Sequence, residues 1–297
     1  MQLRAGLNVT MKNRPVTRVG YLGPQGSYTH LAARTWFHKD GSRLIAYPQS
    51  NLAIKALIDK RVDFSVVPIE NTTGGTVNDS LDGIIHGNLP QHGYSIVDEL
   101  HLQIHLALLG RQHGEKIRKI YSHEYPLKHC SEWIRRNLPD VHCEKAASTS
   151  QAAILASKEK GAAAIGTTDA ARIYHLKVLQ YPLEPKRPNL TSFFVLGKTN
   201  NSRNVAKGKI ALSLVLSHEP GSLYRALGVL AANRLNMTRI ESRPLTDRPW
   251  EYTFFIEFEG RRGTAPVRNA LDRLARQAHA MQVLGNYAVR YLDANAR

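Results

Sequence analysis

Short apolar runs alternate with stretches whose apolar residues recur at three- and four-residue spacing from about residue 17 to 197. The first pattern predicts buried strands and the second predicts amphipathic helices. Strands are expected at "RVGYLG" (18–23), "DFSVVPIE" (63–70), "ELHLQIHLALLG" (99–110), "KIYS" (119–122), "AAAIG" (162–166) and "SFFVLG" (192–197). Between them lie helical patterns such as "SYTHLAARTWF", "SNLAIKALIDK", "TVNDSLDGIIHG", "PLKHCSEWIRRNL" and "STSQAAILASKEKG". Such alternation predicts an α/β domain. The polar, basic stretch "KTNNSRNVAKG" (198–208) reads as a linker. Beyond it, residues 209–291 follow the order strand, helix, strand, strand, helix, strand, which is a ferredoxin-like βαββαβ unit. The two regions are expected to be separate folding units.

Length and composition narrow the class. A chain of 297 residues exceeds what one small core needs, and its 42% hydrophobic and 22% charged content is ordinary for a globular protein. No apolar run approaches the ~20 residues that span a bilayer, so no membrane partner is expected. Residues 1–16 carry Arg4, Lys12 and Arg14 without an apolar core, and read as a disordered basic leader; Met11 is an alternative start. Two cysteines, Cys130 and Cys143, cannot build a disulfide framework or a zinc site and fit a reducing, cytoplasmic setting. The net charge of +16 is scattered, with no run of five basic residues. That distribution speaks against a nucleic-acid partner and favours anionic small molecules. His101 and His105 share a strand face rather than a helix, so no metal and no cofactor is expected.

Candidate chemistry gathers where strands end and helices begin. "YLGPQGSYTH" turns through Gly23, Pro24 and Gly26 and offers Ser27 and Thr29; "VVPIENTTGGTVNDSLD" turns through Asn71 to Gly75, with Thr76 opening a helix. "AASTSQAA" sets Ser148 in a capping box with Gln151, and "AAAIGTTDAA" offers Thr167 and Thr168 after Gly166. Each such turn aims backbone N–H groups, a short hydroxyl and the positive end of a helix at one place. Four of them at the strand ends of an open sheet are expected to line one cleft, with a carboxylate as the natural guest. Glu70 follows its strand directly beside Asn71, and reads equally as an exposed loop carboxylate or as a working group.

These blocks, with "YSH" (121–123), "LTSFFVLG" (190–197), "PGSLYRAL" (220–227) and "MTRIESRP" (237–244), resemble bacterial prephenate dehydratase with a C-terminal ACT domain. The resemblance implies a two-lobed catalytic domain like the type II periplasmic binding proteins, at 17–197. Its lobes would run over about 17–97 with 180–197, and 98–179, followed by an ACT regulatory domain at 209–291. It implies decarboxylation and dehydration of prephenate to phenylpyruvate, without metal or cofactor. Thr191, Glu70 and Asn71 would be catalytic; Ser27, Thr76, Ser122, His123, Ser148, Thr149, Ser192 and Phe193 would bind substrate. Gly221, Ser222, Leu223, Glu241, Ser242, Arg243 and Pro244 would hold phenylalanine, with ACT domains pairing in a homodimer or homotetramer.

The family's strand-opening motif is Thr-Arg-Phe, and Ser192 stands here in place of the arginine. A guanidinium grips a carboxylate bidentately and serine does not. Glu124, Tyr125 and His129 also depart from the family block after Ser122. Three alternatives therefore stay open: a prephenate decarboxylase that does not aromatise its product, an arogenate dehydratase, and a phenylalanine-binding regulator without turnover.

Overall fold

The computed structural model describes residues 16–37, 41–183, 189–199, 208–245, 248 and 250–292. The expected leader, apart from Val16, and residues 200–207 of the expected linker lie outside these.

The first lobe holds β1 (Arg18–Leu22), α1 (Tyr28–Phe37), β2 (Arg43–Tyr47), α2 (Ser50–Ile58), β3 (Phe64–Asn71), β4 (Gly75–Thr76), α3 (Asn78–His86) and β5 (Tyr94–Gln103). The second holds β6 (Ala107–Gly110), β7 (Lys119–Ser122), α4 (Glu124–His129), α5 (Ser131–Asn137), β8 (His142–Lys145), α6 (Thr149–Lys158), β9 (Ala162–Gly166), α7 (Thr168–Ile173) and β10 (Lys177–Gln180). Strand β11 (Leu190–Lys198) returns to the first lobe. The ACT-like unit follows as β12 (Lys209–Leu216), α8 (Ser222–Ala232), β13 (Met237–Pro244), β14 (Tyr252–Glu259), α9 (Ala265–Gln277) and β15 (Ala278–Leu292).

Two sheets result. The smaller runs β10-β6-β9-β7-β8, and alanines at 152, 153, 156, 162, 164, 170 and 171 let α6 and α7 pack closely on it. The larger runs β13-β14-β12-β15-β5-β11-β3-β1-β2, with β4 paired to β3. Within it β13-β14-β12-β15 is the antiparallel order of a ferredoxin-like unit, as the element sequence predicts.

The two expected units are joined through one sheet and one core. Strand β15 pairs in parallel with β5, so one sheet passes from the first lobe into the ACT-like unit. Ala211, Phe255, Leu284 and Tyr287 of that unit share a core with Ile54, Ile69, Ile84 and Phe194. The joint needs Gly285: a Cβ there would stand 2.4 Å from the Ile96 carbonyl oxygen. The lobe boundary differs from expectation. β5 stays in the larger sheet through Gln103, and the second sheet starts at Ala107, so the chain crosses near 104–106 rather than at 97. The predicted strand 99–110 is thus two strands, and the predicted helix 126–138 is two helices, α4 and α5.

Candidate active site

The lobes enclose a cleft of about 440 Å³. Three of the four predicted turns line it: Leu22, Gly23, Ser27 and Thr29 from the β1–α1 turn; Asn71, Thr73, Gly74, Gly75 and Thr76 after β3; and Ala147, Ser148 and Thr149 before α6. His123, Thr191 and Phe193 join them, as do Tyr125 and His129 from the block that departs from the family, and Tyr28 and Asn189, which the sequence pattern does not single out. The fourth turn lies behind the first instead. Thr167 caps α7, and its hydroxyl donates to the Gly26 carbonyl at 2.8 Å. Tyr174 OH donates to the Gln25 carbonyl at 2.6 Å, and Arg34 pairs with Asp169 at 2.8 Å, so α7 latches the glycine turn across the lobes.

Each turn is built by local bonds. Ser27 Oγ donates to the Leu22 carbonyl and accepts the His30 N–H, both at 3.1 Å. Gly26, at φ +85°, sends its N–H to His30 Nδ1 at 3.2 Å. Burial pushes the His30 imidazole below its ordinary pKa, in keeping with that acceptor role. Ser148 accepts the Gln151 N–H at 3.0 Å, as its capping box predicts. Thr76 does not open a helix; it sits in β4, and its hydroxyl is hydrogen-bonded to Glu241.

Asn71 and Thr191 form the centre. Asn71 Oδ1 accepts the N–H groups of Thr73 and Gly74, both at 2.9 Å, which fixes the amide orientation. Its Nδ2 donates to Thr191 Oγ1 and Asn189 Oδ1, both at 2.8 Å. Thr191 therefore accepts from Asn71, and its own hydroxyl keeps a proton to donate at the cleft wall.

Three predicted site residues are elsewhere. Ser122 is fully buried and donates to the Ile165 carbonyl at 2.7 Å. Ser192 faces away from the cleft, since side chains alternate along β11 between Thr191 and Phe193; its hydroxyl is buried without a hydrogen-bond partner. Glu70 faces away too. Ser192 is paired with Glu70 but Phe193 with Pro68, so Ile69 is an extra residue in β3 that turns Glu70 off the cleft. Among the described residues, the lining then carries no Lys, Arg, Asp or Glu, and its polar groups are hydroxyls, amides, N–H groups and imidazoles. The Nε2 of His129 is buried and lacks a partner.

Two family models match the chain. The prephenate dehydratase model matches residues 19–201 and the ACT domain model residues 210–276. The chain belongs to the prephenate dehydratase family. Two α/β lobes followed by a C-terminal ACT domain are that family's arrangement, and its members are lyases. The prephenate dehydratase of Lactococcus lactis is 35% identical over 278 residues, covering 92% of this chain and 98% of that one. A prephenate dehydratase from Arthrobacter aurescens, solved in complex with L-Phe, superposes with a TM-score of 0.83 at 26% identity, over 95% of this chain and 91% of that one. A protein described as a novel type of quorum quenching acylase superposes at 0.80 with 26% identity, over 92% and 97%.

In this dehydratase-family chain the ACT domain docks beside the cleft through alternate residues of β13. Arg239 reaches Glu70 at 2.5 Å; Glu241 meets Thr76; Arg243 grips Asp82 with two bonds of 2.6 Å and Asn78 at 3.1 Å. Beneath them Lys209 bridges Glu99 and Glu257, both at 2.9 Å, and Tyr287 donates to Glu257 at 2.7 Å. Burial pushes Glu99 up, but His101 and Lys209 outweigh it and hold the carboxyl below its ordinary value.

Glu241 and Arg243, expected with the phenylalanine motif, point at the catalytic lobe in this chain. A separate pocket of about 300 Å³ opens at the start of α8, lined by Leu216 to Pro220, Ser222, Glu251, Tyr252 and Phe254. Gly221, at φ +81°, caps α8 there, while Leu223 packs on the ACT core. Ser242 and Pro244 are exposed on the far side of β13 from the docking row. No described helix is long and apolar enough to cross a membrane.

Proposed function

We propose that the cleft converts prephenate to phenylpyruvate, carbon dioxide and water. The observation that carries this reading is the Asn71–Thr191 pair at the wall of a cleft with no described charged side chain, where the threonine hydroxyl accepts from the amide and can donate to substrate. Prephenate has two carboxylates, and the glycine turns offer neutral donors for both. The ring hydroxyl leaves as water with a proton from Thr191, which solvent later restores. The ring carboxylate leaves as carbon dioxide, its electron pair completing the aromatic ring. One proton is consumed, and phenylpyruvate keeps one negative charge. Leu22, Ile104, Leu106 and Phe193 beside the turns exclude water and favour discharge of that carboxylate. An arginine on it would hold it back.

Phenylalanine is proposed to act through the ACT domain, in keeping with the L-Phe complex of the Arthrobacter relative. The Arg239, Glu241 and Arg243 row gives it a route to Glu70, Thr76 and Asp82, and the coupling must be reciprocal. A cytoplasmic protein that is at least a dimer through its ACT domains completes the reading, and both cysteines are free. An acyl transfer of the kind named for one similar structure would use a hydroxyl activated by a base. Here Thr191 Oγ1 accepts from the Asn71 amide, which is no base, and Ser27 Oγ donates to a backbone carbonyl.

Incubation of purified protein with prephenate and identification of the product is the test. Phenylpyruvate supports the proposal. A dihydro product that keeps its oxygen points to the decarboxylase, turnover of arogenate alone to the arogenate enzyme, and phenylalanine binding without turnover to a regulator.

A further inference from the structure

We propose that Arg239 of the ACT domain is a positioning residue for the reaction, holding Glu70 so that the end of β3 keeps Asn71 against Thr191. This rests on the dehydratase reading above. The extra residue at Ile69 leaves β3 bent just before Asn71, and a bulge is where a strand re-aims its side chains. What fixes the bend lies on the face away from the cleft. Among the described residues, the carboxylate of Glu70 is hydrogen-bonded by Arg239 at 2.5 Å.

The arginine is itself well braced. Its side chain is 9% exposed, its guanidinium lies 5.8 Å over the Phe194 ring, and Glu257 stands 3.7 Å away. Ser192, directly across the ladder from Glu70, offers nothing, since its buried hydroxyl has no partner. The basic group that anchors this strand end therefore comes from a different domain. Arg239 does not touch the cleft, so its removal should disturb the alignment of Asn71 and Thr191 more than the binding of substrate.

Arg239→Ser, Arg239→Lys and the double variant Ser192→Arg with Arg239→Ser test this, with kcat and KM for prephenate and the side-chain amide resonances of Asn71 as readouts. Arg239→Ser is expected to lower kcat by about 10- to 100-fold, the cost of a small misplacement, with KM nearly unchanged. Arg239→Lys should keep most of the rate. The double variant should regain it, because an arginine at 192 is the cross-strand neighbour of Glu70 and can pair with it from the other strand. A wild-type kcat in Arg239→Ser overturns the proposal, and so does a loss that neither lysine nor the arginine at 192 recovers. If the wild type forms no phenylpyruvate, the functional reading fails. The positioning claim then stands only if the Asn71 resonances move in Arg239→Ser and return in the double variant; unmoved resonances sink it.

Discussion

Removing the Thr191 hydroxyl while keeping its shape, as Thr191→Val does, separates chemistry from stability. The amide of Asn71 has two hydrogens and three acceptors: Thr191 Oγ1 and Asn189 Oδ1 at 2.8 Å and the Leu190 carbonyl at 3.2 Å. With valine at 191, two acceptors remain for the two hydrogens, so nothing is orphaned. The stability cost is then one ordinary hydrogen bond, about 1 kcal/mol, and a Tm lower by only a few degrees. The chemical cost is far larger. A positioned proton donor contributes about 100- to 10,000-fold, and kcat should fall by that factor. Thr191→Ser keeps the hydroxyl and should stay within about tenfold of wild type. The assay follows phenylpyruvate formation from prephenate at saturating substrate, with thermal unfolding in parallel. A valine variant that retains kcat within tenfold would refute the donor role, and one that unfolds would refute the hydrogen-bond accounting.

Arg243→Met and Asp82→Asn each remove the two-pronged contact between β13 and α3; both should weaken the response of activity to phenylalanine, and the double variant should add little beyond either, as measured in inhibition curves. The carboxyl of Glu99 is held below the ordinary value of 4.5, so its stabilising contribution is complete above that pH and is lost as pH falls through the lower folded value. Glu99→Gln should accordingly flatten the dependence of Tm on pH on the acid side of 4.5, and an unchanged slope would contradict this. Tyr174→Phe removes a hydrogen bond of the interlobe latch to Gln25 and should raise KM more than it lowers kcat, read from steady-state kinetics.

The cleft was legible because its makers are local. Glycines beside serines and threonines at strand ends, as at Gly23 to Ser27 and Asn71 to Thr76, announce turns whose N–H groups need a guest. What stayed hidden depended on partners far along the chain. Period-two counting through "VVPIEN" puts Pro68 and Glu70 on one face, and only the register against β11 reveals Ile69 as the extra residue that turns Glu70 away. The same counting argues against the expected substrate-binding role of Ser192: with Thr191 and Phe193 facing the cleft, the residue between them faces the other way. Strands β8 and β10 were missed because they are sheet edges with mostly exposed side chains and hence no apolar run to announce them. In β13 the half-buried Arg239, Glu241 and Arg243 alternate with exposed residues, but nothing in a charged strand says that a second domain covers one side.

The seam at Gly285 bears on how the molecule comes apart. Cutting the chain between residues 199 and 208 should leave the fragments clasped, since the ladder of β15 on β5 and the bridge from Lys209 to Glu99 do not depend on that connection. Stripping the C-terminal fragment away would instead bare a flank of β5 rich in buried residues and strand a carboxylate in a non-polar setting. An amputated enzyme of this kind would clump before its turnover could be measured, and a nicked one would remain a working whole.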